Sequence, residues 1–210
     1  MTELTARRAA TRDRLIDAAA VVFGEKGVLG AAVEEICEEA GFTRGAFYSN
    51  FSSKDDLCLA LLERLYDHQT AALDQVIDAI GSPTGDLEDL IRRALEVFFA
   101  AQPEGRNWVL TSQVLRLHAA RSPEFAAAYR RFNEQGIARV ADTIEGVLAS
   151  LGYELTTNGV AAISLLHAVH EYGALGSLIG SDALEDGYAA GLMATVLGAL
   201  IRPVSSTSAR

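Results

Sequence analysis

Residues 31–57 read AAVEEICEEAGFTRGAFYSNFSSKDDL and constrain this chain more than any other stretch. Val33, Ile36, Cys37 and Ala40 stand at i, i+3, i+4 and i+7, one apolar face of a short helix. Gly41 suits the left-handed residue just past its end. Thr43 is a good N-cap for a second helix. Phe42 and Phe47 flank that cap at the spacing of a hydrophobic staple. A Gly-containing turn of about three or four residues between two short helices is the helix-turn-helix pattern.

The second helix, 43–50, starts with Thr43, Arg44, Gly45 and Ala46, which are basic or lack bulk. A helix entering a DNA major groove contacts bases with its N-terminal residues. Small side chains there let the backbone approach, and Arg44 can reach a guanine or a phosphate. Tyr48 and Asn50 can hydrogen-bond phosphate. Ser53 and Asp56 have capping-box spacing at the start of a third helix, with Asp in place of Glu or Gln. The free N–H groups there, together with Lys54, are expected to clamp a phosphate.

The block AGFTRGAFYSNFSSKDDL, residues 40–57, resembles the recognition-helix region of TetR-family transcriptional regulators. The upstream TRDRLIDAAAVVFGEKG, residues 11–27, resembles that family's first helix. The resemblance spans about residues 11–57, a quarter of the chain, and elsewhere rests on length and helical character. It implies a dimer on a palindromic DNA operator and a C-terminal domain that binds a small-molecule effector. One departure matters: Ala31 and Ala32 stand where the family usually has a Thr that caps the helix and touches a phosphate. Ala caps worse by roughly 1 kcal/mol, so one phosphate contact fewer is expected.

Net charge is −10, which by itself argues against nucleic-acid binding. The acidity is uneven: residues 1–54 hold seven Lys/Arg against eight Asp/Glu, and the rest hold eleven against twenty. A DNA face must therefore be made locally basic by Arg7, Arg8, Arg12, Arg44 and Lys54, with the acids of the helix over 31–40 turned away. Cys37 and Cys58 fit no metal or CxxC spacing and read as reduced core thiols. The N-terminus carries charges where a signal peptide would be apolar. The uncharged run 187–201 contains glycines and is too short for a membrane span. A soluble, cytoplasmic protein is expected.

An all-α fold of about nine helices follows from abundant Ala, Leu and Glu and from the helical periodicities. The expected helices are 11–25, 31–40, 43–50, 54–80, 86–101, 106–120, 123–151, 157–178 and 182–201. Residues 1–10 read as an arm, 81–85 (GSPTG) as a linker and the C-terminal SSTSAR as a tail. The expected division is a three-helix DNA-binding domain over 1–53 and a helical ligand-binding and dimerisation domain over 54–210.

Phe98, Trp108 and Tyr129 on the middle helices are candidates to line a ligand cavity, with Gln113, Arg116 and His118 as its polar groups. A purely apolar core and a solvated Arg116 are the competing readings. His167, His170 and Glu171 stand at i, i+3 and i+4, a spacing that can hold a transition metal. No Cys or further His lies nearby in sequence to complete a site, so His167 and His170 are read as pocket or dimer-contact residues. Neither metal nor cofactor is expected. Small residues interleaved with leucines on the last two helices (Ala161, Ala168, Leu165; Gly191, Gly198, Leu197) read as a flat dimer face, with a closely packed monomer core as the alternative. No phosphate-binding Gly loop, paired-acid site or Ser/His/Asp arrangement stands out, so an enzyme is the weakest class. Two readings compete: a ligand-released repressor, and a constitutive DNA-binding dimer whose C-terminal domain only dimerises.

Overall fold

Ala, Leu, Arg and Glu are strong helix formers, and they fill the first thirty residues. The computed structural model describes residues 2–80, 87–100, 106–180 and 188–204. Its first helix, α1 (Thr2–Gly30), starts at the second residue, so the segment expected as an arm is helical. Gly27, at φ 71°, breaks α1 near its end. Then come α2 (Val33–Ala40), α3 (Arg44–Asn50), α4 (Lys54–Ile80), α5 (Leu87–Ala100), α6 (Arg106–Arg121), α7 (Pro123–Ser150), α8 (Gly159–Leu178) and α9 (Tyr188–Leu200). The expected linker 81–85, the expected cap Asp182 and the tail lie outside the described residues.

Two short strands were not expected. β1 (Tyr153–Leu155) pairs antiparallel with β2 (Ile201–Pro203), in register Glu154 to Arg202. Thr156 N–H to Leu200 O (2.7 Å) and Val204 N–H to Gly152 O (2.9 Å) extend the ladder. Three residues are too few to show a period-two pattern in sequence.

The described residues within Met1–Asp67 and Pro103–Phe132 form one compact unit, and those within His68–Gln102 and Asn133–Arg210 a second. The sequence-based division at residue 54 marks the end of the helix-turn-helix; packing groups the start of α4, all of α6 and the first turns of α7 with it. The first unit is built around Phe23, Phe47, Phe51, Leu15, Ile36, Leu57 and Leu61, all fully buried. Each such side chain contributes about 1.5–3 kcal/mol from burial alone. Within this unit α6 packs along α1, where the buried Thr111 hydroxyl donates to the Ala20 carbonyl at 3.2 Å. Arg64 of α4 ties back to α1 through Asp13 and Asp17.

The core of the second unit joins Ile91 and Leu95 of α5, Ala141 and Leu148 of α7, Ile163 and Leu166 of α8, and Met193 of α9. Asn158 caps α8, its Oδ1 accepting from Ala161 N–H at 2.8 Å. At Gly159 a Cβ would lie 2.3 Å from Glu145 Oε1 and 3.0 Å from Ala141 Cβ, so any larger residue would displace the Glu145 side chain and crowd Ala141 where α8 begins against α7.

Candidate nucleic-acid interface

The turn between α2 and α3 is fixed by backbone chemistry. Gly41 adopts φ 69°, and its N–H and that of Phe42 return to the carbonyls of Glu38 (3.1 Å) and Cys37 (2.8 Å). Those bonds satisfy the carbonyls that the end of α2 leaves open. Thr43 caps α3, accepting from Ala46 N–H at 3.4 Å. Phe47 is buried and Phe42 packs against the same core.

Ala32, the N-cap of α2, offers no side-chain acceptor. Half of a capping box survives: Glu35 accepts from Ala32 N–H at 2.9 Å and pairs with Lys26 at 2.6 Å. Both hold the Glu35 carboxyl below its ordinary pKa, the backbone bond first. At α4, Ser53 Oγ accepts from Asp56 N–H at 3.1 Å, while the Asp56 carboxylate takes the Ser52 N–H at 2.8 Å. The capping box expected from Ser53 and Asp56 is therefore shifted by one residue on its carboxylate side.

Packing turns Phe47 inwards and leaves Thr43, Arg44, Gly45, Tyr48 and Ser49 exposed on one face of α3, with Ala46 half-buried. A Cβ at Gly45 would touch only Thr43 Oγ1, at an ordinary 3.7 Å, so nothing inside the protein requires glycine there. Arg44 lies with its guanidinium 5.8 Å from the centre of the Tyr48 ring and 2.7 Å from Glu34 of α2. A hydrogen bond with Tyr48 and then the charge of Glu34 raise the Arg44 pKa. The expectation that the acids of α2 turn away is overturned for Glu34, which shares the surface of Arg44. Sequence reasoning missed it because helical periodicity marks Glu34 as exposed without showing what it faces.

Several cations expected to face DNA have partners within the protein. Lys54 Nζ donates to Val28 O and Ala31 O, both at 2.8 Å, closing the end of α1. Arg8 donates to Ser49 O at 3.0 Å near the end of α3, and Arg12 stacks on Phe51 at 4.6 Å. Arg14 donates to Ala40 O at 2.7 Å at the end of α2 and lies over Phe42. The C-terminal ends of α1, α2 and α3 thus each receive a cation, as the helix dipole favours. Asn50 is also engaged: its Nδ2 donates to Ala46 O at 2.8 Å and to Ser49 Oγ at 3.3 Å.

The candidate ligand residues fall in both units. In the first, His118 is buried with Nε2 2.8 Å from Asp55 Oδ1, and its ring stands 4.8 Å from Phe125. Trp108 and Tyr129 pack against the core of that unit, Gln113 is half-buried, and Arg116 is exposed. In the second unit, the His170 ring meets Phe98 edge to face (6.1 Å) and lies tilted against Phe99 (5.7 Å), and burial lowers its pKa. His167 Nε2 is 3.3 Å from Glu171 Oε1. Among the described residues no group of three or more His, Cys, Asp or Glu is placed to hold a metal ion. No helix of the described residues is long and apolar enough to cross a membrane.

The small residues of the last two helices divide. Ala162, Gly173 and Gly176 are buried, whereas Ala161, Ala168, Gly191 and Gly198 are exposed. Beside them Val160, Leu165, Tyr172 and Ile179 are 46–74% exposed.

Residues 15–61 match the family described as bacterial regulatory proteins, tetR family. The chain is 35% identical over 88 residues to the HTH-type transcriptional activator FasR of Mycolicibacterium smegmatis, covering 42% of this chain and 38% of FasR. It is 30% identical over 88 residues to the HTH-type transcriptional repressor KstR2 of the same species, covering 42% and 43%. The matched stretch thus spans about two-fifths of these relatives. A crystal structure of a transcriptional regulator from Rhodococcus sp. Rha1 superposes with a TM-score of 0.65 at 26% identity, over 90% of this chain and 95% of that one. The multidrug binding protein EbrR, complexed with imidazole, superposes at 0.60 and 23% identity over 94% and 98%, a likeness of fold.

Proposed function

Since the chain belongs to the TetR family of bacterial transcriptional regulators, we propose that it is a ligand-responsive repressor: a cytoplasmic homodimer that binds a palindromic operator through α3 and is released by a small, largely apolar molecule. The carrying observation is the face of α3. Thr43, Arg44, Gly45 and Tyr48 stand exposed behind a turn locked by Gly41, with no bulk at the helix start. Arg44 and Tyr48 read or grip the major groove, and Gly45 and Ala46 let the backbone close on it. Lys54 has three N–H donors; two hold carbonyls, and the third is assigned to a phosphate. Asn50, both of whose amide N–H donors are engaged along its own helix, is assigned no phosphate contact.

The dimer interface is assigned to α8 and α9, where Val160, Leu165, Tyr172 and Ile179 are exposed on the one and Gly191 and Gly198 on the other, because exposed apolar patches mark interaction surfaces. Two copies related by a two-fold axis present two α3 helices to two half-sites. The effector site is assigned to the ring cluster of Phe98, Phe99 and His170 with His167 beside it. The neighbour EbrR, described as multidrug binding, favours an organic effector. Helix α4 begins beside the reading helix and runs unbroken to Ile80, a path for the signal. An effector that prefers the DNA-incompetent state lowers operator affinity by a coupling of about 1–3 kcal/mol, and DNA weakens the effector equally.

The test is recovery of DNA fragments bound from the chain's own genome, then titration of the operator and a scrambled duplex. The operator is expected to bind at least a hundredfold more tightly; equal binding contradicts the reading. If no small molecule releases the complex, the C-terminal domain serves dimerisation alone.

A further inference from the structure

A carboxylate on a surface that meets DNA repels phosphate, so Glu34 is out of place unless it acts on a neighbour. It is in the first turn of α2, its side chain 56% exposed, with Oε1 2.7 Å from Nη1 of Arg44. Arg44 is itself 61% exposed and is the first residue of α3. Tyr48, one turn along the same helix, has its ring centre 5.8 Å from the guanidinium. The guanidinium thus has one partner on the positioning helix and one on the reading helix, at a helix start with no Cβ at Gly45 to obstruct the groove.

An arginine side chain is long, and ordering it costs conformational entropy on binding. A partner that orders it beforehand removes part of that cost. Glu34 engages Nη1; of the five N–H donors of arginine, others remain for the O6 and N7 acceptors of a guanine, the bidentate contact that the major groove offers arginine. The same carboxylate competes with phosphate for the guanidinium and repels the backbone, so it weakens binding where no guanine is present. Resting on the reading of α3 as the DNA-contacting helix, we infer that Glu34 is a specificity-determining positioning residue: through its ion pair it aims Arg44 at a guanine of the operator and holds it off the phosphates of other sequences.

The experiment measures dissociation constants of wild type, Glu34→Gln, Arg44→Ala and the double variant. Each is titrated against the operator, every single base-pair substitution of one half-site, and a scrambled duplex, at several salt concentrations. Glu34→Gln keeps the size of the side chain and removes the charge. It is expected to bind the scrambled duplex several-fold more tightly and to steepen the log K against log salt slope by about one, as a freed arginine neutralises a phosphate. It is expected to lose much of the preference at one guanine, which a bidentate arginine enforces by about 5- to 150-fold. In the Arg44→Ala background the same substitution should leave base preference unchanged.

Equal shifts on all duplexes would reduce Glu34 to a bulk charge and overturn the inference. Loss of preference at a base pair that persists without Arg44 would make Glu34 a direct reader and overturn it too. Either outcome leaves the α3 reading standing if wild type still prefers its operator. If wild type shows no preference, the α3 reading fails and this inference with it.

Discussion

Helices α2 and α8 finish their surfaces differently. In α2, Ile36, Cys37 and Ala40 are buried on one face while Glu34, Glu38 and Glu39 meet solvent. In α8, Ala162, Ile163 and Leu166 are buried, yet the outer face carries Val160, Leu165, Tyr172 and Ile179. A helix with one apolar stripe is satisfied by its own unit; one that is apolar all round needs covering on two sides. In the first unit the ends of α1, α2 and α3 are closed by Lys54, Arg14 and Arg8. The second unit ends in an apolar face that a second copy is proposed to cover.

The largest effect expected is in the head. Phe47→Ala removes a ring that is 0% exposed and should cost about 3–5 kcal/mol, read by urea denaturation. A loss below about 1 kcal/mol would mean that the head is not organised around that side chain.

Leu165→Glu places a charge on the outer face of α8, where the wild-type leucine is 46% exposed. An unpaired carboxylate buried between subunits costs about 3 kcal/mol or more. Light scattering at micromolar concentration should show a dimer for wild type and a folded monomer for the variant. A variant that stays dimeric would place the interface elsewhere.

A subtler contrast separates two cations of the head. Lys54→Met should lower stability by about 1.5–3 kcal/mol, since charged hydrogen bonds to two carbonyls are lost. Arg44→Ala, an exposed change, should alter stability by no more than about 0.5 kcal/mol yet lower operator affinity by about 1–3 kcal/mol and relax base preference. Reversed outcomes would exchange the roles assigned to the two residues.

The smallest effect is a pH dependence in the second unit. Burial holds the His170 pKa below its ordinary 6.5. Between the folded pKa and 6.5 the unfolded chain binds the extra proton, so stability falls as pH drops through that window and flattens below it. The His170 share of the slope is at most about 1.4 kcal/mol per pH unit. His170→Gln should remove that share from unfolding free energies measured between pH 7.5 and pH 5; an unchanged slope would contradict it.

Local chemistry made the helix ends legible. Gly41 and Thr43 each fix a boundary through a conformation or bond confined to a few residues, and α4 runs over the expected 54–80. What those ends bond to was not legible. Lys54 and Arg8 look like DNA-facing cations in sequence, but the carbonyls they hold lie 23 to 41 residues away in the chain. Trp108, His118 and Tyr129 were grouped with Phe98 because all sit on middle helices. Periodicity shows which face of a helix is apolar and not which neighbour covers it, and the first three pack within the head's unit. The same limit concealed Glu34 beside Arg44.

The central claim is that two copies read two half-sites through α3. Sedimentation velocity on the complex with a palindromic duplex from the chain's own genome tests it most directly, alongside the same duplex with one half-site scrambled. Two chains on the intact palindrome and a large loss of affinity on the half-scrambled duplex are predicted. A single chain bound to one half-site, with affinity indifferent to the other, would contradict it.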